Sequence, residues 1–442
     1  MKVRAATAAV VAASLFVVLP ARADFYDLER AVGEAMDVST NVGISREQLA
    51  FARSDVLRSY SNWLPNLFVR ASTGHSFTGP TTSGFVDSQG RIVQGPATDF
   101  ENYGFSINSS MTIFNWGASI NRVNEAKRSA DAASYDLEYQ KDFTKALVIR
   151  EFYDLVKQRK LHEVQADDVE AQRRNLEQVE AFYRIGSRTK ADFLQARVNL
   201  ANSELELLNA QNAAVIADAR LKSRLNLPQL SQLDVDESLA IHLLDVDIEA
   251  EVQYMFDHRS DLLAGRQRVE ASKAALSSAK KGWLPTVDGN FAYSWSDRAG
   301  PSDGEVFKSD YVWSVGVAVN WPIFDRFETK VNTDQARVGH RIAEYNLQQA
   351  KIDAILDFKQ IVLNLDQARQ RLDLSGETVG QAEENLRLAE ERYRVGAGTL
   401  LETFQATASL TRAQAQLIEA QVDYLVNRAD LRRATGRPIV TK

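Results

Sequence analysis

The sequence predicts an α+β membrane protein built by internal duplication, with four membrane-crossing strands per chain, two from each half, carried on long coiled-coil helices. Three observations predict it. The stretch from Tyr183 to Pro228 recurs without a gap from Tyr393 to Pro438, at an offset of 210 residues. Each half holds two segments of roughly 10 to 12 residues in which apolar and polar side chains alternate, the length that crosses a bilayer when tilted. From Asn121 to Arg184 the chain has neither Pro nor Gly, and Val169, Gln172, Leu176, Val179 and Tyr183 step by 3 and 4, the spacing of helices that pack side by side.

The elements follow in order. Lys2 and Arg4, an apolar run from Ala5 to Leu19, and the small-x-small sequence Ala21-Arg22-Ala23 read as a signal peptide, 1–23, with the mature chain starting near Asp24. The run is about 15 residues, short of the roughly 20 that a spanning helix needs. Losing Lys2, Arg4 and Arg22 takes the formal net charge from −7 to −10, which excludes nucleic acid as a partner. With no cysteine, the chain has neither disulfides nor a lipidated Cys. The first repeat is set at 24–228 and the second at 229–442.

Helical segments at 46–62 and 248–282 lead to Trp63-Leu64-Pro65 and Trp283-Leu284-Pro285, where Pro stops the helix. Strands follow. Leu67, Val69, Ala71 and Phe77 form one apolar row; Tyr103, Phe105, Ile107, Met111 and Ile113 form the next and alternate with Gly104, Ser106, Asn108, Ser110 and Thr112. In the second half Val287, Phe291, Tyr293 and Trp295, then Tyr311, Trp313, Val315, Val317, Val319 and Trp321, do the same. The loop 78–101 is ten residues longer than the loop 297–310, which accounts for the Trp-Leu-Pro motifs lying 220 rather than 210 apart. Outgoing helices of some 65 residues, about 100 Å long at 1.5 Å per residue, turn at Gly186 and Gly396 and return as shorter helices from Lys190 and Leu400. The less periodic stretches, 24–44 and 230–247, are expected where the short helices break.

Four antiparallel strands cannot close a barrel, and an open edge in hydrocarbon strands unpaired backbone groups at several kcal/mol each. Several copies must therefore share one barrel. Two give 8 strands and a filled interior; three give 12 and room for a lumen, which suits the small polar inward row.

With these residues in view, the chain resembles the TolC-like outer-membrane efflux proteins. The likeness spans nearly the whole mature chain, through the duplicated Tyr-Arg-[Ile/Val]-Gly-x-x-Thr turn, the helix-Trp-Leu-Pro-strand junctions, and the marks Ile113-Phe114 and Pro322-Ile323-Phe324. It implies a homotrimer with a 12-stranded β-barrel in the outer membrane, continued by a helical coiled-coil barrel across the periplasm. The implied function is an exit duct of a tripartite efflux or type I secretion system, with a periplasmic adaptor, an inner-membrane transporter and outer-membrane lipid as partners, and no cofactor.

The resemblance also implies roles at the turns. Gly186, Thr189, Gly396, Gly398 and Thr399 would shape the periplasmic tip and meet the adaptor. Asp192, Tyr393, Glu402 and Gln405 would face the entrance. Family members often carry an Arg at the position of Gly398; Arg188 in the first turn is the substitute at hand. From the residues alone, Thr189 and Thr399 stand three before Asp192 and Glu402, close to a capping box. Phe77, Tyr103, Trp295 and Tyr311 suit an outer aromatic girdle, and Phe114, Trp321 and Phe324 an inner one.

The five histidines are scattered, no Gly-rich phosphate loop precedes a helix, and helical acids mostly have Lys or Arg nearby, as on solvated faces. These features argue against an enzyme and against a metal site. The alternative from another class is a trimeric structural or adhesive coiled coil anchored by a small barrel. It needs one uninterrupted stalk per chain, against which the duplicated hairpins count. A diffusion porin would not need the helices.

Overall fold

The structure, a computed structural model, describes residues 24–86, 88–90, 92–95, 97–298 and 305–439. The signal peptide read at 1–23 lies outside the described residues. In chain order the elements are β1 (Asp24–Tyr26), α1 (Leu28–Val38), α2 (Thr40–Ser61), β2 (Phe68–Thr78), β3 (Thr81–Val86), β4 (Ile92–Gly95), β5 (Thr98–Phe114), α3 (Ala118–Arg184) and α4 (Lys190–Arg224). They continue as β6 (Leu233–Val235), α5 (Ile248–His258), α6 (Ser260–Lys280), β7 (Thr286–Asp297), β8 (Tyr311–Asn320), α7 (Glu328–Arg394) and α8 (Leu400–Thr435). Both long helices have 67 residues.

Three sequence expectations are corrected. The stretch 24–44, expected where the short helices break, is itself mostly helical, with only Ser39 between α1 and α2: Asp27 caps α1 by accepting from the Arg30 amide at 2.8 Å, and Ala31, Val32 and Ala35 are buried. Eleven residues give too few turns for the helical period to stand out. The loop 78–101 contains the β3–β4 hairpin, and β5 already begins at Thr98. The segment 248–282 is two helices, broken at Arg259, whose buried side chain bonds Asp261 at 2.9 Å.

One antiparallel sheet runs in the order β2-β5-β7-β8. Its register puts Val69, Ile107 and Tyr293 in one row and Ala71, Phe105 and Trp295 in another. The other face is mainly polar, with Phe68, Phe100, Ala292, Val312 and Ala318 as its apolar members. There Asp288 accepts hydrogen bonds from Thr112 and Asn320 at 2.9 Å and from Thr286 at 3.1 Å. Among the described residues β2 and β8 each pair along one side only, so the sheet is open at both ends.

The chain divides into two compact units, one of Met1–Gly43, Gln140–Met255 and Ile355–Lys442, the other of Ile44–Tyr139 and Phe256–Ala354. In the first, Tyr26, Phe152, Leu155, Leu221, Leu225 and Leu425 form a buried core beside the parallel pair β1–β6. Fully burying each such side chain is worth about 2 kcal/mol. In the second, α6 is bonded to the starts of both long helices: Asn121 donates to Ser277 at 2.9 Å, and Thr333 to the Ala279 carbonyl at 3.3 Å.

The long helices start alike. Asn115 accepts from the Ser119 amide at 3.3 Å, and Asp325, 210 residues on, from the Thr329 amide at 2.8 Å. The Thr329 hydroxyl and amide hold the Asp325 carboxyl below its usual range. A carboxyl depressed in this way contributes stability that is present above its unfolded pKa and lost as pH falls through the folded value. Asp325→Ala should therefore lower the thermal midpoint at pH 7, with the difference from the parent shrinking below about pH 4; Asp325→Asn should keep the cap and lose the pH dependence. Differential scanning calorimetry across pH 3–7 checks both.

Candidate functional site

Both hairpin turns lie in the first unit, and both end the outgoing helix in the same way. Gly186 and Gly396 take φ of +78° and +75°, a left-handed conformation that only Gly adopts without strain. The Ser187 amide then reaches the Phe182 carbonyl at 2.9 Å, and the Ala397 amide the Arg392 carbonyl at 2.8 Å. These bonds satisfy carbonyls that a helix end leaves free. In the second turn the Gly398 amide also donates to the Arg392 carbonyl at 2.9 Å. A Cβ on Gly398 would stand 3.0 Å from the Arg392 Cβ and 3.1 Å from the Tyr393 nitrogen, so this turn is closed too tightly for the Arg that the family resemblance implied.

The returning helices start differently. Thr189 accepts from the Asp192 amide at 3.2 Å while its own amide donates to Asp192 at 3.1 Å, a complete capping box. Thr399 accepts from the Glu402 amide at 3.2 Å, but the Glu402 carboxylate turns to Arg392 at 3.5 Å instead of returning to the cap. The aspartate thus closes its box and the glutamate does not, because a cation competes for it.

Tyr393 is 6% exposed, packed with Val179, Ala196, Leu400 and Phe404. Arg188 from the first turn lies over its ring, 4.5 Å from the centroid, which ties one hairpin to the other within the chain. Burial pushes the Tyr393 hydroxyl above its usual pKa, so it stays neutral. Its repeat mate Tyr183 instead stacks on Phe193 at 5.6 Å; at the place of Phe193 the second hairpin has Thr403. Glu402 and Asp192 are half-exposed and Gln405 is exposed.

Behind the turns the helices enclose a cavity of about 450 Å³, lined in part by Asp168, Tyr393, Thr403, Thr407 and Thr411. Asp168 does not sit on a solvated face. It accepts from Ser203 of α4 at 2.5 Å, from Thr411 of α8 at 3.3 Å and from Gln172 at 3.4 Å. Charge spacing along one helix gives little hint of this network, because only Gln172 lies on α3 itself and Ser203 and Thr411 come from other helices. The turns also expose Ile185, Val395 and Leu401. Sequence reasoning passed over these, although Ile185 and Val395 are repeat mates that stay apolar in turns with no core to fill.

On the sheet, Phe77, Tyr311, Phe114, Trp321 and Phe324 are exposed and Tyr103 is half-buried. Trp295 is corrected: at 3% exposure it is buried within the chain and lacks the open surface a girdle residue needs. Among the described residues no cluster of His, Cys, Asp or Glu has the geometry to hold a metal ion, and no helix is long and apolar enough to cross a membrane. The capping geometry predicts that Thr189→Ala costs about 1 kcal/mol and Thr399→Ala less, since only one bond is lost there. Amide hydrogen exchange in the first turns of α4 and α8 measures both.

The family model described as outer membrane efflux protein matches residues 39–227 and 253–437. TolC of Vibrio cholerae is 24% identical over 269 residues, which is 60% of each chain, and the outer membrane efflux protein BepC of Brucella suis is 23% identical over 77% of this chain and 74% of its own. The chain thus spans about three fifths of the length of that TolC. The crystal structure of the outer membrane protein VceC from Vibrio cholerae superposes with a TM-score of 0.77 at 19% identity, covering 93% of this chain and 97% of VceC. Matched by the family model across two segments that take in both hairpins and all four strands of the open sheet, the chain belongs to the outer membrane efflux protein family.

Proposed function

We propose that the chain is a passive homotrimeric exit duct of the outer membrane, opened by a periplasmic adaptor and an inner-membrane transporter. The observation that carries this reading is the open sheet: four strands, one face mainly apolar and one mainly polar, with β2 and β8 unpaired along their outer sides. Three copies would join β2 to β8 in turn and close a 12-stranded barrel, turning the Ser106, Asn108 and Asp288 face toward a water-filled lumen. The two matched segments support a chain of two repeats, which we set at 24–228 and 229–442 behind the signal peptide read from the sequence.

The turns are then the periplasmic tip. Three copies bring three Glu402 and three Asp192 together, a ring that favours cations. Gly186, Thr189, Gly396, Gly398 and Thr399 set its shape, and the exposed Ile185, Val395 and Leu401 offer apolar surface to the adaptor. Arg188 over Tyr393 supports a lock in which the first turn supplies the arginine that the second has no room for.

Single-channel recording in planar bilayers tests the reading. The duct predicts discrete, cation-preferring steps, and Glu402→Gln should lower the cation preference; an absence of steps would contradict it. Arg188→Ala should raise the opening equilibrium about fivefold, the value of ~1 kcal/mol for the lost cation–π contact.

A further inference from the structure

The two junctions where a strand hands over to a long helix share one backbone plan and differ in the residue at its second left-handed position. At 116–117 and again at 326–327 two successive residues are left-handed: Trp116 at +57° and Gly117 at +77°, Arg326 at +56° and Phe327 at +68°. Gly takes that conformation freely, whereas a β-carbon makes it costly. Phe327 stands where its repeat mate is Gly117.

The turn itself serves the helix start, where the Phe327 amide bonds the Asp325 carboxylate; a Gly would serve equally, so what needs a reason is the side chain. The Phe327 ring meets Phe324 edge-on at 5.8 Å and stays 60% exposed, next to the exposed Trp321 and Ile323. At the other junction the same positions hold Met111, Ile113 and Phe114. There Phe114 rests on Trp116 at 5.2 Å and the Trp116 indole donates to the Pro285 carbonyl at 2.8 Å, as the Trp321 indole does to the Trp283 carbonyl at 3.2 Å, and both rings of the first junction stay exposed.

Position in the sheet separates the two junctions. β5 lies in the interior of the order β2-β5-β7-β8, and β8 lies at its edge. Lipid would meet both junctions at one depth and gives no reason for a β-carbon at position 327 where the repeat mate is the unstrained Gly117. A neighbouring chain meets only an edge. On the opposite edge, at the same end of the sheet, β2 is led in by Leu64 and Leu67, which are also exposed.

We infer that Trp321, Ile323, Phe324 and Phe327 of one chain seat against Leu64 and Leu67 of the next copy, an apolar clasp that fastens neighbours where barrel meets helices. The inference rests on the trimeric reading above. The partner of the Phe327 ring is another chain, which is why a side chain is kept at a position where Gly would be unstrained.

The protein has no cysteine, so introduced pairs report contact directly. Leu64 and Phe327 sit at opposite edges of the four-stranded sheet, roughly 14 Å apart at the usual strand spacing, beyond the ~7 Å reach of a disulfide. A bond between them must join two chains. Oxidising the full-length double variant Leu64→Cys/Phe327→Cys in membranes should give covalent dimers and trimers on a non-reducing gel, with neither single variant doing so. Leu67→Cys/Phe324→Cys should behave likewise and covers a folding failure at position 327. Light scattering in detergent sizes the same preparations. A trimer with no cross-link in either pair overturns the clasp and leaves the duct standing; a monomer overturns both. A trimer whose Cys at 327 reacts with a bilayer-dissolved maleimide assigns the cluster to lipid and overturns the clasp. Phe327→Gly should lower the temperature at which the trimer dissociates although it relieves the backbone, and a rise would contradict the inference.

Discussion

An unpaired strand edge is the constraint on which the rest of this structure depends. β2 and β8 each carry a row of amides and carbonyls with no partner among the described residues, and in hydrocarbon such groups cannot be left to water. The apolar rows on the strands, Val315, Val317 and Val319 above all, are as exposed as the edges are open. In the proposed duct, a chain of this design is finished by copies of itself and by lipid.

Duplication supplies the parts, and the departures from it show where the two copies serve different ends. The helix starts at Asn115 and Asp325 and the turns at Gly186 and Gly396 keep one geometry. The differences are concentrated where the surroundings differ. Phe327 replaces Gly117 at a sheet edge, Gly398 replaces Arg188 in a tighter turn, and Thr403 replaces Phe193 beside the cavity. Tyr183 accordingly stacks within its own hairpin, while Tyr393 is held by the other one.

The strands, the long helices and the turns were legible in the sequence because each is written in a period or a repeat: alternation of two for Tyr103 to Ile113, steps of 3 and 4 for Val169 to Tyr183, an offset of 210 for the turns. The β3–β4 hairpin was not, since it lies among Gly, Thr and Ser without a long alternating run. Helix α1 has only three turns in which to show its face. At the site, the Thr189 cap could be read from spacing, but the preference of Glu402 for Arg392 could not, because it depends on how the turn folds back. Of the side chains that bind Asp168, only Gln172 can be read along α3; Ser203 of α4 and Thr411 of α8 are invisible to any argument made along one helix. Trp295 obeys the alternation and is nonetheless covered, since period two fixes which face a side chain takes and not what lies over it.

Amide hydrogen exchange along β2 and β8 of the detergent-extracted protein tests the central claim most directly. The account predicts that the outward-pointing amides of 68–78 and 311–320 exchange as slowly as those of β5 and β7, because the next copy binds them. Fast exchange confined to β2 and β8, with β5 and β7 protected, would contradict it.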